Sequence, residues 1–158
     1  MTKKVMIKHN PYGDTRTAPK DTTYKQFQKA NSRHIKEVDQ VLCLLAHCLR
    51  YQGLSHDRTK KEFERDFFND FKLAQEGKIN FTEGQWYQRH VHIERHHPES
   101  FCHDDINLLD ILETIVDCVC AGKARSGKIR DIKIDTDILV KAVNNTIDLI
   151  NKMTELKE

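Results

Sequence analysis

The adjacent residues His56 and Asp57 are the part of this chain best suited to chemistry. An imidazole nitrogen and a carboxylate oxygen side by side can hold a divalent metal ion together. One such pair needs partners from other parts of the chain to complete a site. Of the nine histidines, five fall between residues 90 and 103. The candidate partners are His34, His90, His92, His96, His97 and Asp117, which are enough for two metal ions.

Asp117 stands out because it lies inside the apolar segment from Ile115 to Cys120. The apolar spacing there predicts a central helix, on which Asp110, Glu113 and Asp117 share one narrow stripe. An ionised carboxylate in such surroundings carries a desolvation cost on the order of several kcal/mol unless it is paired or bound to a metal. The segment therefore indicates that Asp117 is a candidate metal ligand.

The histidines near Pro98 depend on where their helix ends. The residue before a proline is disfavoured in helical geometry, so His97 is expected at or beyond the helix end. In an unbroken helix His92 and His96 would share a face, as would His90 and His97. A break before Pro98 removes that restriction, and the pattern leaves open which of these histidines bind.

A helix is predicted to begin near residue 21 and to begin again or continue from residue 31 to residue 52, where Gly53 ends it. His34 lies on the apolar stripe of this helix. It falls close to Val38 and Val41 around that helix, so its side chain is expected to face inward. The alternative to a ligand is a buried histidine paired with a neighbouring group.

Several basic residues could meet a phosphate group. The segment from Gly122 to Lys128 has the glycine and lysine spacing of a P-loop, but Ile129 follows where serine or threonine is required, and a helix precedes it. A nucleoside-triphosphate P-loop is therefore not expected. The segment after Asp117 either contacts a substrate phosphate or is a solvated surface loop. The candidate phosphate-binding residues are Lys60, Lys61, Lys123, Arg125 and Lys128.

The apolar periodicity of the chain is helical almost throughout. Turn residues dominate residues 1–20, which we expect to form an extended arm with only residues 5–7 as a possible short strand. Residues 21–158 are expected to form one domain. The sequence predicts an all-α fold, a single-domain bundle of five to six helices with the last helix near residues 136–156.

Composition excludes several classes of protein. The net charge of +2 over 158 residues does not favour an extended nucleic-acid surface or binding to a membrane surface. The sequence has neither an apolar run of bilayer length nor a signal peptide at its start, so a cytoplasmic protein is expected. The five cysteines lack CxxC spacing, which argues against a disulfide framework or a zinc ribbon.

The order of these residues resembles the HD-domain superfamily of metal-dependent phosphohydrolases, which have the pattern H...HD...D. Within it the chain is similar to a small family of bacterial and phage proteins with the motifs H-K-x-x-V, Q-G-L-x-H-D-x-S-K, H-x5-H-H and an acid before A-x-G. The corresponding residues begin at His34, Gln52, His90 and Asp117. The chain departs from that family at Ile35, where lysine is usual, at Thr59, where serine is usual, and after Pro98, where no aromatic residue follows.

The resemblance implies an all-helical fold and two groups of ligands. A first metal ion would be held by His34, His56, Asp57 and Asp117. A second would be held by His90 with His96 or His97, with Asp57 bridging the two. Lys60 would face the substrate phosphate, so Asp57 and Lys60 are the expected catalytic residues. Imidazole and carboxylate ligands suit iron, manganese, cobalt, nickel or zinc.

The predicted function is a metal-dependent phosphohydrolase that acts on a small nucleotide or oligonucleotide through a metal-activated water. A shared fold does not fix the chemistry. One alternative is a nucleotide-binding or sequestering protein without turnover, in a phage for example. Another is a structural metal site in an interaction module. The oligomeric state is left open.

Overall fold

Helices make up most of the protein in the computed structural model, which describes residues 4–129 and 131–157. This confirms the predicted all-α class. Within the described residues no helix is both long enough and apolar enough to cross a bilayer. The α-helices are α1 (Tyr24–Ser55), α2 (Arg58–Glu62), α3 (Glu64–Gln75), α4 (Gln85–Ile93), α5 (Leu108–Ser126) and α6 (Thr136–Met153). Two 3₁₀ helices (Pro11–Gly13, Phe81–Glu83) and two strands, β1 (Val5–Lys8) and β2 (Thr154–Lys157), complete the description.

The described residues form two compact units. The first contains the residues up to Cys48 together with those from Ile147 onward, and the second runs from Leu49 to Thr146. The division of the chain at residue 20 stays a prediction. The first unit joins the two ends of the chain, a pairing that local periodicity does not show.

That pairing is a two-stranded parallel sheet in the first unit. β1 pairs with β2, with Val5 opposite Thr154 and Lys8 opposite Lys157. The backbone N–H of Lys8 donates to the Glu37 carboxylate at 3.1 Å, which ties the strand to α1. Residues 5–8 are therefore part of a sheet rather than of an unpaired extended arm, and the last helix ends at Met153 instead of near residue 156.

Helix α1 is one continuous element where the sequence suggested a possible restart at residue 31. Its start is set by a capping box, in which the Thr23 hydroxyl accepts the N–H of Gln26 and the Gln26 side chain accepts the N–H of Thr23. Gly53 does not end the helix, which continues to Ser55. The chain then turns at His56 and Asp57 into α2.

In the second unit a buried acid joins three segments of the chain. The Asp110 carboxylate is fully buried and accepts hydrogen bonds from Gln52 at 2.8 Å and from the Arg95 guanidinium at 2.8 and 2.9 Å. It also accepts the backbone N–H of Asn107, closing the capping box that begins α5. One carboxylate thus fixes the end of α1, the loop after α4 and the start of α5 relative to each other.

Apolar packing supports the same arrangement. Ile106, Ile111 and Ala142 form a buried core. Trp86 stacks on Phe67 with ring centroids 4.1 Å apart, which holds α4 against α3. The first turn of α4 is also fixed by Asp70, a buried α3 residue whose carboxylate accepts the N–H of Trp86 at 2.8 Å.

Candidate metal centre

The turn between α1 and α2 presents His56 and Asp57 side by side. Asp57 has φ 56° and ψ 27°, the left-handed conformation, and among the described residues it is the one non-glycine residue with positive φ. Aspartate tolerates this conformation better than most residues, but such strain persists only where the surroundings enforce it. Here it bends the chain sharply enough that α1 ends and α2 begins around the two candidate ligands.

Three histidines reach Asp57 from α4 and the loop that follows it. α4 ends at Ile93, so both His96 and His97 lie beyond the helix, as the proline led us to expect for His97. His90 Nε2 lies 3.5 Å and His96 Nε2 3.6 Å from Asp57 Oδ1. His90 Nε2 is also 2.9 Å from His97 Nε2. We call Asp57, His90, His96 and His97 the His90 group; one ligand atom from each lies within 4.8 Å of all the others.

A second cluster is built around α5. Asp117 Oδ1 lies 3.4 Å from His56 Nε2, which is also 3.4 Å from Asp57 Oδ2. Ligand atoms of His56, His96 and Asp117 meet the same 4.8 Å limit, and we call these three the Asp117 group. His96 belongs to both groups. The structure thus brings both His96 and His97 into one cluster, where the sequence had left the choice between them open.

The donor set fits a cation. Asp57 Oδ1 and both ring nitrogens of His96 are buried and have no hydrogen-bond partner among the described residues. Burying such groups unsatisfied costs roughly 1–3 kcal/mol each. In addition, Nε2 of His90 and Nε2 of His97 face each other at 2.9 Å, so either one ring donates its N–H to the other or a cation lies between the two nitrogens. A bound divalent ion would satisfy Asp57 Oδ1, one ring nitrogen of His96 and the facing nitrogens of His90 and His97 at once.

The two groups differ in charge. Burial lowers the pKa of His90 to about 4 and that of His97 to about 4, so both are neutral near pH 7. Hydrogen bonds to the Asp117 and Glu113 carboxylates raise the pKa of His56 to about 10. For His96, burial would lower the pKa, but the carboxylates of Asp57 and Glu113 outweigh it and the pKa is raised.

A second layer of residues holds the ligands. The buried Thr59 hydroxyl lies 2.7 Å from His90 Nδ1, and the Thr59 N–H donates to the buried Glu94 carboxylate at 2.9 Å. Glu113 Oε1 is 2.9 Å from His56 Nδ1. The sequence reasoning missed all three. Glu113 had a usable signal, since it lies one turn before Asp117 on the same stripe of α5.

A cavity of about 660 Å³ opens beside the cluster. Its polar wall contains His90, His97 and Asp117, together with Lys60 and Arg125. Lys60 also forms an ion pair with the Asp57 carboxylate. Aromatic rings form the apolar part of the wall. These are Phe67, Phe71, Phe81, Trp86 and Tyr87.

Other predicted site residues lie elsewhere. His34 belongs to the first unit, whereas all residues of both groups belong to the second. Its side chain is exposed, so the expectation that it faces inward is wrong, and neither group of described ligand atoms includes it. Its role as a ligand stays a prediction. Lys61, Lys123 and Lys128 are exposed and do not line the cavity described above.

Comparison with known proteins gives one result. The model of a family described as "Family of unknown function (DUF5662)" matches residues 23–155, a range that includes every residue of both groups. No curated protein and no solved structure gives a match.

Proposed function

The chain belongs to the DUF5662 family, and we propose that it is a metal-dependent phosphohydrolase whose substrate is a small nucleotide or oligonucleotide. The observation that carries the proposal is the convergence of four imidazoles and two carboxylates beside a cavity with an aromatic wall. Some of the buried atoms in this cluster have no hydrogen-bond partner among the described residues.

The two groups contain the residues that would hold metal ions. His90, His96 and His97 with Asp57 would hold one ion, and His56 and Asp117, sharing His96, would hold a second. Asp57 presents one oxygen towards each group, which suits a bridging carboxylate. Divalent ions so held supply a Lewis acid and lower the pKa of a bound water, which is the chemistry needed to cleave a phosphate ester.

The residues of the chain itself would bind and orient the substrate. Lys60 and Arg125 are the cations that line the cavity, and phosphate oxygens are the anionic partners they suit. The ion pair with Asp57 holds the Lys60 ammonium next to the candidate ligands, so a phosphate reaching them would meet a positive charge. The aromatic wall offers faces on which a nucleobase can stack, at a gain of about 1–3 kcal/mol.

Phosphate release from a substrate panel tests the proposal. Protein loaded in turn with Mn²⁺, Co²⁺, Ni²⁺, Fe²⁺ or Zn²⁺ is incubated with phosphomonoesters, phosphodiesters and nucleoside triphosphates. We expect at least one nucleotide to be hydrolysed, with activity lost in Asp57→Asn and kept in His47→Ala, an exposed histidine of α1 outside both groups.

Two other outcomes would contradict hydrolysis. Recovery of a tightly bound, unchanged nucleotide would identify a sequestering protein. A strong fall in melting temperature on chelation, with no ester consumed or bound, would identify a structural metal site.

A further inference from the structure

We infer that Glu113 is a positioning residue that holds His56 and His96 with Nε2 of each ring turned towards Asp57. The inference rests on the proposed metal centre, because it concerns which nitrogen of each ring is free to bind an ion. Glu113 is not among the ligand atoms of either group.

The four side chains form a closed ring of contacts. Glu113 Oε1 lies 2.9 Å from His56 Nδ1 and 3.4 Å from His96 Nδ1. On the far edge of the imidazoles, His56 Nε2 lies 3.4 Å from Asp57 Oδ2, and His96 Nε2 lies 3.6 Å from Asp57 Oδ1. One carboxylate therefore faces both Nδ1 atoms, and the other faces both Nε2 atoms.

This arrangement selects a tautomer. A neutral imidazole carries its proton on one of two nitrogens, and an acceptor at Nδ1 keeps the proton there and leaves the Nε2 lone pair free. Carboxylates placed behind ligand histidines do this in many metal sites, where they fix the ring orientation and raise the basicity of the ligand. Glu113 would do this for His56 through the 2.9 Å contact with Nδ1. For His96 the 3.4 Å contact is an ion pair without a hydrogen bond, so there Glu113 would favour the proton on Nδ1 through its charge.

The placement of Glu113 makes the role specific. Its side chain is 12 % exposed, and it lies one turn before Asp117 on α5, so the two acids share a face of the helix. Asp117 lies next to His56 Nε2 and Glu113 next to Nδ1 of the same ring. Because His96 belongs to both groups, loss of Glu113 would loosen the His90 group as well as the Asp117 group.

An isosteric comparison tests the inference. Glu113→Leu removes the acceptor, Glu113→Gln keeps a neutral one, and Glu62→Ala, an exposed acid on α2, is the control. Zn²⁺ affinity is measured by competition with a chelator. We expect a loss of about 10–100-fold for Glu113→Leu, which is typical for such residues, an intermediate loss for Glu113→Gln, and none for Glu62→Ala.

Imidazole ¹⁵N spectra of the Zn²⁺-loaded proteins provide a readout that a merely structural role would not change. The wild type and Glu113→Gln should show His56 and His96 bound through Nε2 with Nδ1 protonated, and Glu113→Leu should show mixed coordination. Unchanged affinity and Nε2 coordination in folded Glu113→Leu would overturn the inference. If the leucine variant does not fold, wild-type affinity in Glu113→Gln would overturn it.

The experiment separates two kinds of failure. A wild-type protein that binds no Zn²⁺ would contradict the metal centre on which the proposed function depends. A wild type that binds Zn²⁺ with Glu113 variants that bind it equally well would contradict only the role of Glu113.

Discussion

The His90 group and the Asp117 group share a histidine but hold their protons differently. His90 and His97 are neutral near pH 7 because burial lowers the pKa of each to about 4. His56, placed between the Asp117 and Glu113 carboxylates, has its pKa raised to about 10 and is protonated. Metal ligands must be deprotonated. In the His90 group, His90 and His97 are already neutral, whereas in the Asp117 group His56 must first release its proton. A metal ion is therefore expected to bind the His90 group before the Asp117 group.

The largest effect is expected from the residue that both groups face. Asp57→Asn keeps the size of the side chain and the tolerance for the left-handed conformation but removes the charge. We expect Zn²⁺ affinity to fall by more than the ~10–100-fold that a positioning residue costs, because one oxygen of Asp57 faces each group. Metal content after dialysis measures this loss. A variant that keeps its metal would show that Asp57 binds neither ion.

The pH dependence of Zn²⁺ affinity separates the groups. His97→Ala disrupts the His90 group and leaves the Asp117 group, and Asp117→Asn does the reverse. Both retained groups contain His96, so the difference between them is the proton on His56. Below about pH 10 the Zn²⁺ affinity of His97→Ala should rise more steeply with pH than that of Asp117→Asn. The difference should be about tenfold in affinity for each pH unit, because one more proton must be released. Equal slopes would show that the His56 proton is not displaced.

These two groups also show how far the sequence could be read. His56, Asp57 and Asp117 were recognisable because an adjacent ligand pair and an acid in an apolar helix are unusual. The choice between His96 and His97 could not be made, because it depended on α4 ending four residues before His97. Thr59 had no signal of its own, since a threonine in a helix is ordinary until its hydroxyl is found beside His90.

The fold, too, could be predicted only in part from the sequence. Helical periodicity gave the class and most of the helices. The β1–β2 pairing was missed because it joins opposite ends of the chain, and four-residue strands have too little alternation to recognise. Gly53 was expected to end α1, but the left-handed turn is made by Asp57 two residues after Ser55.

Without metal, the two kinds of histidine should make stability depend on pH in opposite directions. A raised pKa, as in His56, gives stabilisation that is complete below the ordinary value of 6.5 and is lost as the pH rises towards 10. Lowered pKa values, as in His90 and His97, destabilise the fold as the pH falls from 6.5 towards 4, because the unfolded chain then binds more protons.

The melting temperature of the chelator-treated protein should therefore be highest near pH 6.5. Substitution His56→Gln should flatten the alkaline side of the profile, while His47→Gln should leave its shape unchanged. A wild-type profile that rises steadily from pH 6.5 to 10 would contradict the carboxylate pairing of His56.

A smaller effect, confined to the His90 group, is expected at Thr59. Thr59→Val keeps the shape of the side chain but leaves His90 Nδ1 buried without its 2.7 Å partner, at a cost of about 1–3 kcal/mol in the free energy of unfolding. Thr59→Ser keeps the hydroxyl and should stay closer to the wild type. Denaturant unfolding compares the two, and equal stabilities would mean that the hydroxyl does not hold His90.

The smallest effect is expected at His34. The resemblance to HD-domain proteins predicts that His34 is a ligand, but its side chain is exposed and neither group of described ligand atoms includes it. We therefore expect His34→Ala to bind Zn²⁺ as the wild type does. A loss as large as that in His56→Ala would show instead that His34 is a ligand.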